Sequence, residues 1–149
     1  MLKIAIGSDH AGFQLKEEIK KYLKESEYDF EDFGTDSEER ADYPDFAAKV
    51  ANAVSKKIYP KGILICVTGI GMSIVANKFP EVRAALCYDV TTAKLSREHN
   101  DANILTIGAR MIDQEKTKEI VKVWLTTEFL GGRYEKRIEK IKEIEKSLI

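Results

Sequence analysis

At positions 62–73 the chain reads Gly-Ile-Leu-Ile-Cys-Val-Thr-Gly-Ile-Gly-Met-Ser. The apolar run predicts a buried strand over 62–66, and the residues after the turn predict a helix over about 71–79. Cys66 therefore ends a strand and faces a glycine-containing turn into a helix. In an open α/β sheet, ligands bind at such carboxyl ends of strands.

The turn after Cys66 suits a negatively charged ligand. Gly69 and Gly71 let the backbone approach a ligand, and free amides at the start of a helix attract anions. The same positive helix end favours the thiolate form of Cys66 and raises its reactivity. Two interpretations stay open at this point: a nucleophile or base beside an anion hole, or a buried structural cysteine before an ordinary tight turn.

Strand-like apolar runs alternate with segments of helical period, which is typical of a parallel α/β sheet. We predict one domain over 1–149, a three-layer α/β/α sandwich with a five-stranded parallel Rossmann-like sheet and a C-terminal helix extension. The predicted strands cover 2–7, 29–33, 62–66, 83–87 and 103–108. The first helix should turn its lysines and glutamates to solvent and bury one apolar face, formed by Leu15, Ile19, Tyr22 and Leu23.

The predicted last helix, 133–148, departs from the alternation because no strand follows it. Dense lysine and glutamate surround its apolar side, which comprises Ile138, Ile141, Ile144 and Leu148. Such an amphipathic helix either packs on its own sheet or reaches over a partner.

Composition excludes several classes of function. The 149 residues carry 24 basic and 25 acidic side chains, so the net charge of −1 gives no indication of a nucleic-acid partner. The longest apolar runs have the length of a strand, and the chain opens as a strand, so we expect neither a membrane segment nor a signal peptide. Two cysteines without zinc-site spacing indicate free thiols and a cytoplasmic protein.

A second polar turn follows the first strand as Gly7-Ser8-Asp9-His10-Ala11-Gly12. If the first and third strands are neighbours, Asp9 and His10 lie beside Cys66 at the switch point of the sheet. Ser8 or Asp9 could equally cap the next helix, whereas His10 has no such structural role. Neither turn fits NAD or ATP, because the first has too few glycines and the turn after Cys66 lacks the P-loop lysine.

Four further side chains could bind an anion or transfer a proton. His99 precedes the fifth predicted strand, and Arg110 follows it. Arg133 and Arg137 lie four apart on one helical face and could form a fork for a phosphate. Each has a plainer explanation when taken alone, since a histidine favours a helix end and a surface arginine is usually solvated.

Together these segments resemble the ribose-5-phosphate isomerase B family, which includes the allose-6-phosphate and galactose-6-phosphate isomerases. The resemblance runs almost from end to end, with the segments in the right order. The matching segments are 7–12, 42–44, 66–73, 76–78, 95–103, 108–110 and 131–133.

The resemblance implies an aldose–ketose isomerase that works through an enediolate without a metal or an organic cofactor. It implies that Cys66 is the proton-transfer base and Thr68 a hydroxyl beside it. His99 would assist opening of the sugar ring, with Asp9 close by. The implied phosphate contacts are His10, Arg110, Arg133 and Arg137, and the residues implied to line the sugar are Tyr43 and Asn100.

The chemistry of the residues agrees with this mechanism. One base must move a proton between C1 and C2 of the sugar, and a thiolate at a helix start can do so near neutral pH. The enediolate oxygen needs preorganised donors, which we expect from the turn that holds Gly69, Gly71 and Ser73.

One position departs from the family's pattern. The family usually has glycine directly after the cysteine, and this chain has Val67. A β-branched residue narrows the allowed backbone conformations there. We expect the geometry of the turn to survive, because only the amide of this residue is needed.

Other functions stay open beside ribose 5-phosphate isomerisation. Allose 6-phosphate or galactose 6-phosphate could be the substrate, since the depth of the pocket decides that preference. A non-catalytic sugar-phosphate-binding module would not need Cys66 and His99, and both are present. A thiol redox protein would need a Cys-x-x-Cys pair, and the two cysteines lie far apart in the sequence.

The direction of the chain predicts a homodimer with shared active sites. Cys66, Asp9 and Arg110 follow strands, whereas His99 precedes one and so lies at the opposite edge of the sheet. The helix over about 113–127 runs back along the sheet, so Arg133 also begins near that far edge. A six-residue strand spans about 20 Å, too far for one side chain to bridge. A two-fold dimer, alone or within a dimer of dimers, would bring the opposite edges together.

Overall fold

The computed structural model describes residues 3–149 and contains one parallel sheet of five strands. Along the sheet the order is β2-β1-β3-β5-β4, with every neighbouring pair parallel. The strands are β1 (Lys3–Ser8), β2 (Asp29–Asp32), β3 (Lys61–Cys66), β4 (Ala84–Leu86) and β5 (Ile104–Gly108).

Helices cover both faces of the sheet, as the alternating pattern predicts. They are α1 (Phe13–Glu25), α2 (Tyr43–Ser55), α3 (Ile70–Ala76), α4 (Val90–Asn100), α5 (Gln114–Thr126) and α6 (Arg133–Ser147). One buried cluster joins the sheet to α1, α4 and α5, and the other joins it to α2 and α3. The predicted three-layer sandwich is therefore confirmed.

The three central strands are mostly apolar because both of their faces are covered. Within β3, residues 62–66 are all buried, and alternate side chains enter the two clusters: Ile63 and Ile65 on one face, Leu64 and Cys66 on the other. This is the expected pattern for a parallel sheet between two helical layers. The predicted strand and helix ends agree to within one or two residues, except that α3 ends at Ala76, three residues before its predicted end. Leu2, predicted to begin the first strand, lies outside the described residues.

The sheet order places the switch point between β1 and β3. From β1 the chain moves to β2 on one side, and from β3 it moves toward β4 on the other. The helices α1 and α3 consequently leave in opposite directions and open a crevice at the carboxyl ends of these two strands. The first and third strands are neighbours, so the condition for grouping Asp9 and His10 with Cys66 is met.

Helix α6 extends the sandwich without a following strand. Ile138 is its single buried residue among those described, whereas Ile141 and Ile144 are 45% and 60% exposed. Its apolar side is thus only partly covered by its own chain. Within residues 3–149, none of the helices has both the length and the apolar character needed to cross a membrane.

Helix α1 corrects one expectation. Ile19 and Leu23 are buried, and Leu15 and Tyr22 pack against the same cluster, as predicted. Lys16, expected on the solvent face with the other lysines, is fully buried instead. It reaches an acidic partner on β2 that helical periodicity could not indicate.

Candidate active site

Cys66 is the last residue of β3 and faces the α2–α3 side of the crevice. Its side chain is buried, and the Gly69 amide donates a hydrogen bond to its Sγ at 3.2 Å. The sulfur therefore accepts a hydrogen bond from a backbone amide of the turn that leads into α3. The interpretation of Cys66 as a base beside an anion hole thus has geometric support.

Gly69 makes this contact possible because of its backbone conformation. Its φ of +82° lies in the left-handed region, where glycine is favoured. A Cβ at this position would also come within 2.9 Å of the carbonyl carbon of Ile107. Both constraints require glycine here, and together they aim the amide back at Cys66.

A cavity of about 410 Å³ opens in front of the sulfur. Among the residues that line it are Asp9, Tyr43, Cys66, Thr68 and Gly71. The Tyr43 ring lies so close to Gly71 that an added Cβ would stand 2.5 Å from Cε1. The structure therefore brings together the residue after β1, the start of α2, the end of β3 and the turn into α3.

The turn between β3 and α3 already uses several of its amides. The Gly69 amide faces Cys66, the Ile70 amide donates to Thr68 Oγ1 at 3.1 Å, and the Ser73 amide donates to the Gly69 carbonyl at 3.1 Å. The Ser73 amide is therefore engaged inside the helix. The amides of Gly71 and Met72 stand in the first turn, where a helix has no carbonyl for them. They are the available donors for an anionic oxygen.

Asp9 and His10 follow β1 at the same edge. Asp9 is buried, and its Oδ1 accepts from the Gly12 amide at 3.0 Å, so it supports the start of α1 while its side chain lines the cavity. Nδ1 of His10 lies 3.1 Å from both the amide and the carbonyl oxygen of Ala41. This contact fixes the ring and leaves Nε2 for other partners.

Arg110 and Val67 meet at the end of β5. The Arg110 amide donates to the Val67 carbonyl at 3.2 Å, and the Arg110 side chain is exposed. Val67 stays outside the left-handed region, so a β-branched residue fits the backbone. The contact between Gly69 and Cys66 is present with valine at this position.

The second cysteine, Cys87, provides a contrast. It is also free and buried, and burial raises the pKa of its thiol even though Ser96 and Thr92 offer hydrogen bonds that act in the opposite direction. Cys87 is therefore stabilised as a neutral thiol and does not line the cavity beside Cys66.

A separate group of polar residues lies at the amino-terminal edge of the sheet. The His99 ring stacks on Tyr134, with centroids 4.2 Å apart and planes 11° from parallel. The guanidinium carbons of Arg133 and Arg137 lie 4.9 and 5.6 Å from the centroid of the same ring. Asn100 ends α4 next to this group and is exposed.

Tyr134 was not among the predicted site residues. The only indication in the sequence is an aromatic residue between the two arginines in a helix otherwise rich in lysine and glutamate. Its ring holds His99 and both guanidinium groups in one cluster, which the spacing of the arginines alone does not show.

The two groups of candidate residues lie at opposite edges of one chain. Helix α4 delivers His99 to the start of β5, and the Leu130 amide donates to the Glu98 carbonyl at 3.2 Å, which ties the start of α6 to that edge. Within residues 3–149, no hydrogen bond or ion pair joins the His99 group to the cavity beside Cys66. Nor is any set of three or more His, Cys, Asp or Glu side chains in that part of the chain placed to hold a metal ion.

An ion pair beneath the site fixes the loop that leads into α2. The ammonium group of Lys16 donates to Asp32 Oδ1 and Oδ2 at 2.6 and 2.7 Å and to the Thr35 carbonyl at 2.6 Å. The Gly34 amide also donates to Asp32 Oδ1, at 2.8 Å. This loop continues to Ala41, the partner of His10, so the ion pair positions one wall of the site.

We expect Lys16→Met to lower the free energy of unfolding by about 3 kcal/mol, because it leaves a partly buried carboxylate without its main partner. Lys21→Met is the matched control, since Lys21 pairs with Glu18 on the exposed side of α1. The control should change the stability by less than about 0.5 kcal/mol. Urea unfolding at neutral pH measures both, and equal effects would contradict the role of Lys16.

The ion pair of Lys16 and Asp32 also determines how the stability of the protein changes at acidic pH. Burial opposes ionisation of Asp32, but hydrogen bonds from Lys16, Lys20 and the Gly34 amide outweigh it and lower the pKa of this carboxyl. The stability that the pair contributes is complete above the pKa of the unfolded chain, about 4, and is lost as the pH falls through the lower folded value. In the Lys16→Met variant, the loss of stability as the pH falls below about 4 should be smaller than in the wild type.

The chain is similar over most of its length to known sugar phosphate isomerases. The family model described as ribose/galactose isomerase matches residues 4–141. The ribose-5-phosphate isomerase B of Escherichia coli K12 is 49% identical over 145 residues, which cover 97% of each chain. A D-erythrulose-4-phosphate isomerase of Pectobacterium atrosepticum is 44% identical over 142 residues, covering 95% of this chain and 93% of that protein.

A solved structure has the same fold over nearly the whole chain. The ribose-5-phosphate isomerase B of Clostridium thermocellum superposes with a TM-score of 0.97 at 51% identity, over 99% of this chain and 100% of that one. The β–α order, the sheet and the terminal helix are thus shared over the whole length.

Proposed function

We propose that this chain, which belongs to the ribose/galactose isomerase family, interconverts ribose 5-phosphate and ribulose 5-phosphate. The chain is an aldose–ketose isomerase. The cysteine base, the substrate and the dimeric site are the parts that we propose. The observation that carries the proposal is the hydrogen bond from the Gly69 amide to Cys66 Sγ at the mouth of the cavity.

In the proposed reaction, Cys66 acts as the single base. As a thiolate it takes the proton from C2 of the open-chain aldose, which leaves an enediolate, and it returns the proton to C1 to give the ketose. One base can serve both carbons because C1 and C2 are adjacent and both can be reached from the same face of the enediolate. A proton also passes from the oxygen on C2 to the oxygen on C1, and the Thr68 hydroxyl lines the cavity where this transfer would occur.

The negative oxygen of the enediolate needs donors that are in place beforehand. The Gly71 and Met72 amides at the start of α3 are free to serve, and their backbone is held by the contacts of Gly69 and Ile70. Tyr43 covers Gly71 and would contact the sugar from the other side.

The residues for ring opening and phosphate binding lie at the other edge of the sheet, so we propose that a second subunit supplies them. A two-fold dimer would bring His99, Arg133 and Arg137 of one chain to the cavity beside Cys66 of its partner. Exposed apolar side chains on α6, among them Ile141 and Ile144, support this arrangement because a partner would cover them.

The preference for a five-carbon sugar depends on the depth of the cavity. A relative that is 44% identical is named for a four-carbon ketose phosphate, so similar chains differ in substrate. The alternatives with six carbons, allose 6-phosphate and galactose 6-phosphate, need a deeper cavity. Cys66 and the turn would act in the same way on each of them.

Addition of ribose 5-phosphate to the purified, metal-stripped protein tests the function. Ketose formation should follow and should exceed the rate with allose 6-phosphate or galactose 6-phosphate. A higher rate with a six-carbon sugar would transfer the assignment to that substrate. If none of the three sugar phosphates is turned over, the assignment fails.

The arginines of α6 are expected to act in binding. Replacing Arg133 and Arg137 by glutamine should raise KM for ribose 5-phosphate by about 100-fold while lowering kcat much less, since each charged hydrogen bond contributes about 1.5–3 kcal/mol. Unphosphorylated ribose should be affected little, and Lys140→Gln on the same helix is the control. Equal losses for the free sugar and the phosphorylated sugar would contradict a phosphate role.

A further inference from the structure

A second cavity lies at the amino-terminal edge of the sheet, away from Cys66. Its volume is about 380 Å³, and the end of α2, the start of β3 and the end of α4 contribute to its walls. Five cationic side chains and two carboxylates line it, although the whole chain has a net charge of −1. Positive charge is therefore concentrated in this cavity.

Both carboxylates in the cavity already have partners. Asp101 lies 2.8 Å from Nη1 of Arg97 and 3.5 Å from Nη2 of Arg83. Glu81 pairs with Lys57 at 3.5 Å. Lys142 pairs with Glu139 outside the cavity at 3.6 Å, so the excess of positive charge is centred on Lys61, the one cation of the lining without an ion pair among residues 3–149.

Lys61, the first residue of β3, carries part of this excess. Its ammonium lies over the Trp124 ring at 5.1 Å from the centroid and forms no ion pair within residues 3–149. Burial, and then the positive charge of Arg97, lower the pKa of Lys61 to about 8, against the opposite influence of Asp101 and Glu128. The group is mostly charged at neutral pH in surroundings that disfavour its charge, so a nearby anion would stabilise it.

Arg97 lines the same cavity. Its side chain is only 8% exposed, and its Nε and Nη1 donate to the carbonyls of Thr127 and Ala102 at 3.1 and 2.7 Å. Its Nη2 has no hydrogen-bond partner in the part of the chain that the structure describes. This Nη2 stays accessible to solvent, so it is free to donate to an anion that enters the cavity.

We propose that this cavity is a binding site for a small oxyanion, held by the ammonium of Lys61 and Nη2 of Arg97. Together these groups offer up to five N–H donors and two positive charges, which suits the dianionic phosphate group better than a single carboxylate. Either free phosphate or a phosphomonoester supplies this chemistry. The site shares no lining residue with the Cys66 cavity and does not include His99, Arg133 or Arg137, so the proposal does not rest on the proposed catalysis.

Site-resolved acetylation of the wild-type protein tests the proposal. At constant ionic strength, about 10 mM inorganic phosphate should slow acetylation of Lys61 about fivefold, as mass action predicts for millimolar affinity. The exposed Lys21 serves as the internal control and should react at an unchanged rate. If Lys61 reacts equally fast with phosphate and with matched potassium chloride, the proposal is wrong.

A variant and a second probe separate this site from others. In the double variant Arg133→Gln/Arg137→Gln, phosphate should still protect Lys61. Loss of protection in this variant would show that the effect comes from phosphate at the substrate site, and would overturn the proposal of a separate phosphate site. Glycerol phosphate as a second probe distinguishes the sources: stronger protection than by phosphate supports a phosphomonoester, and weaker protection supports the free ion.

Discussion

Cys66→Ala should lower kcat for ribose 5-phosphate by about 10³-fold or more, because it removes the proposed base for proton transfer. Binding should change little, since the sulfur is not expected to contact the phosphate. Cys66 is buried at the end of a central strand, and alanine fits this position without a change in backbone. The measurement is ketose formation under saturating substrate, together with binding of a non-reactive sugar phosphate.

Cys87→Ala is the matched control for this experiment. Both cysteines are free, buried and placed at the end of a strand, but burial raises the pKa of the Cys87 thiol, and Cys87 does not line the cavity beside Cys66. Its replacement should leave kcat within about twofold of the wild type. Near-normal turnover by Cys66→Ala would remove the cysteine from the mechanism.

The second large effect concerns the sharing of the site between subunits. Cys66→Ala and His99→Ala should each be nearly inactive as homodimers, because every site lacks one essential group. A heterodimer of the two variants should contain one intact site, formed by Cys66 of one chain and His99 of the other. Random mixing should therefore recover about a quarter of the wild-type activity, and isolated heterodimers about half.

A pair of variants at one edge provides the control for complementation. Cys66→Ala mixed with Asp9→Asn should recover nothing, because both residues line the same cavity and each heterodimer site would carry one of the two changes. Verified heterodimers of Cys66→Ala and His99→Ala that stay inactive, while each homodimer folds normally, would contradict the shared site.

Local sequence patterns were enough to predict the sheet and the group of candidate residues at the carboxyl ends of its strands. The run over 62–66 is apolar on both faces because helices cover both, and the glycines after it follow from the tight turn into α3. Asp9, His10 and Cys66 could be grouped because chain direction alone sets the edge at which a parallel strand ends. The same argument separated His99 from Cys66, and the structure keeps them at opposite edges.

What the sequence by itself determined, then, is the alternation of strands and helices and the edge on which each candidate residue lies. These properties depend on periodicity and chain direction, which are local. Tertiary structure alone decided that Lys16 is buried against Asp32, and that Tyr134 gathers His99 with the two arginines. It also decided that Arg97 keeps one donor free beside Lys61. The physical reason is that the burial of a long charged side chain depends on which partner lies within reach, and that partner belongs to a segment distant in the sequence.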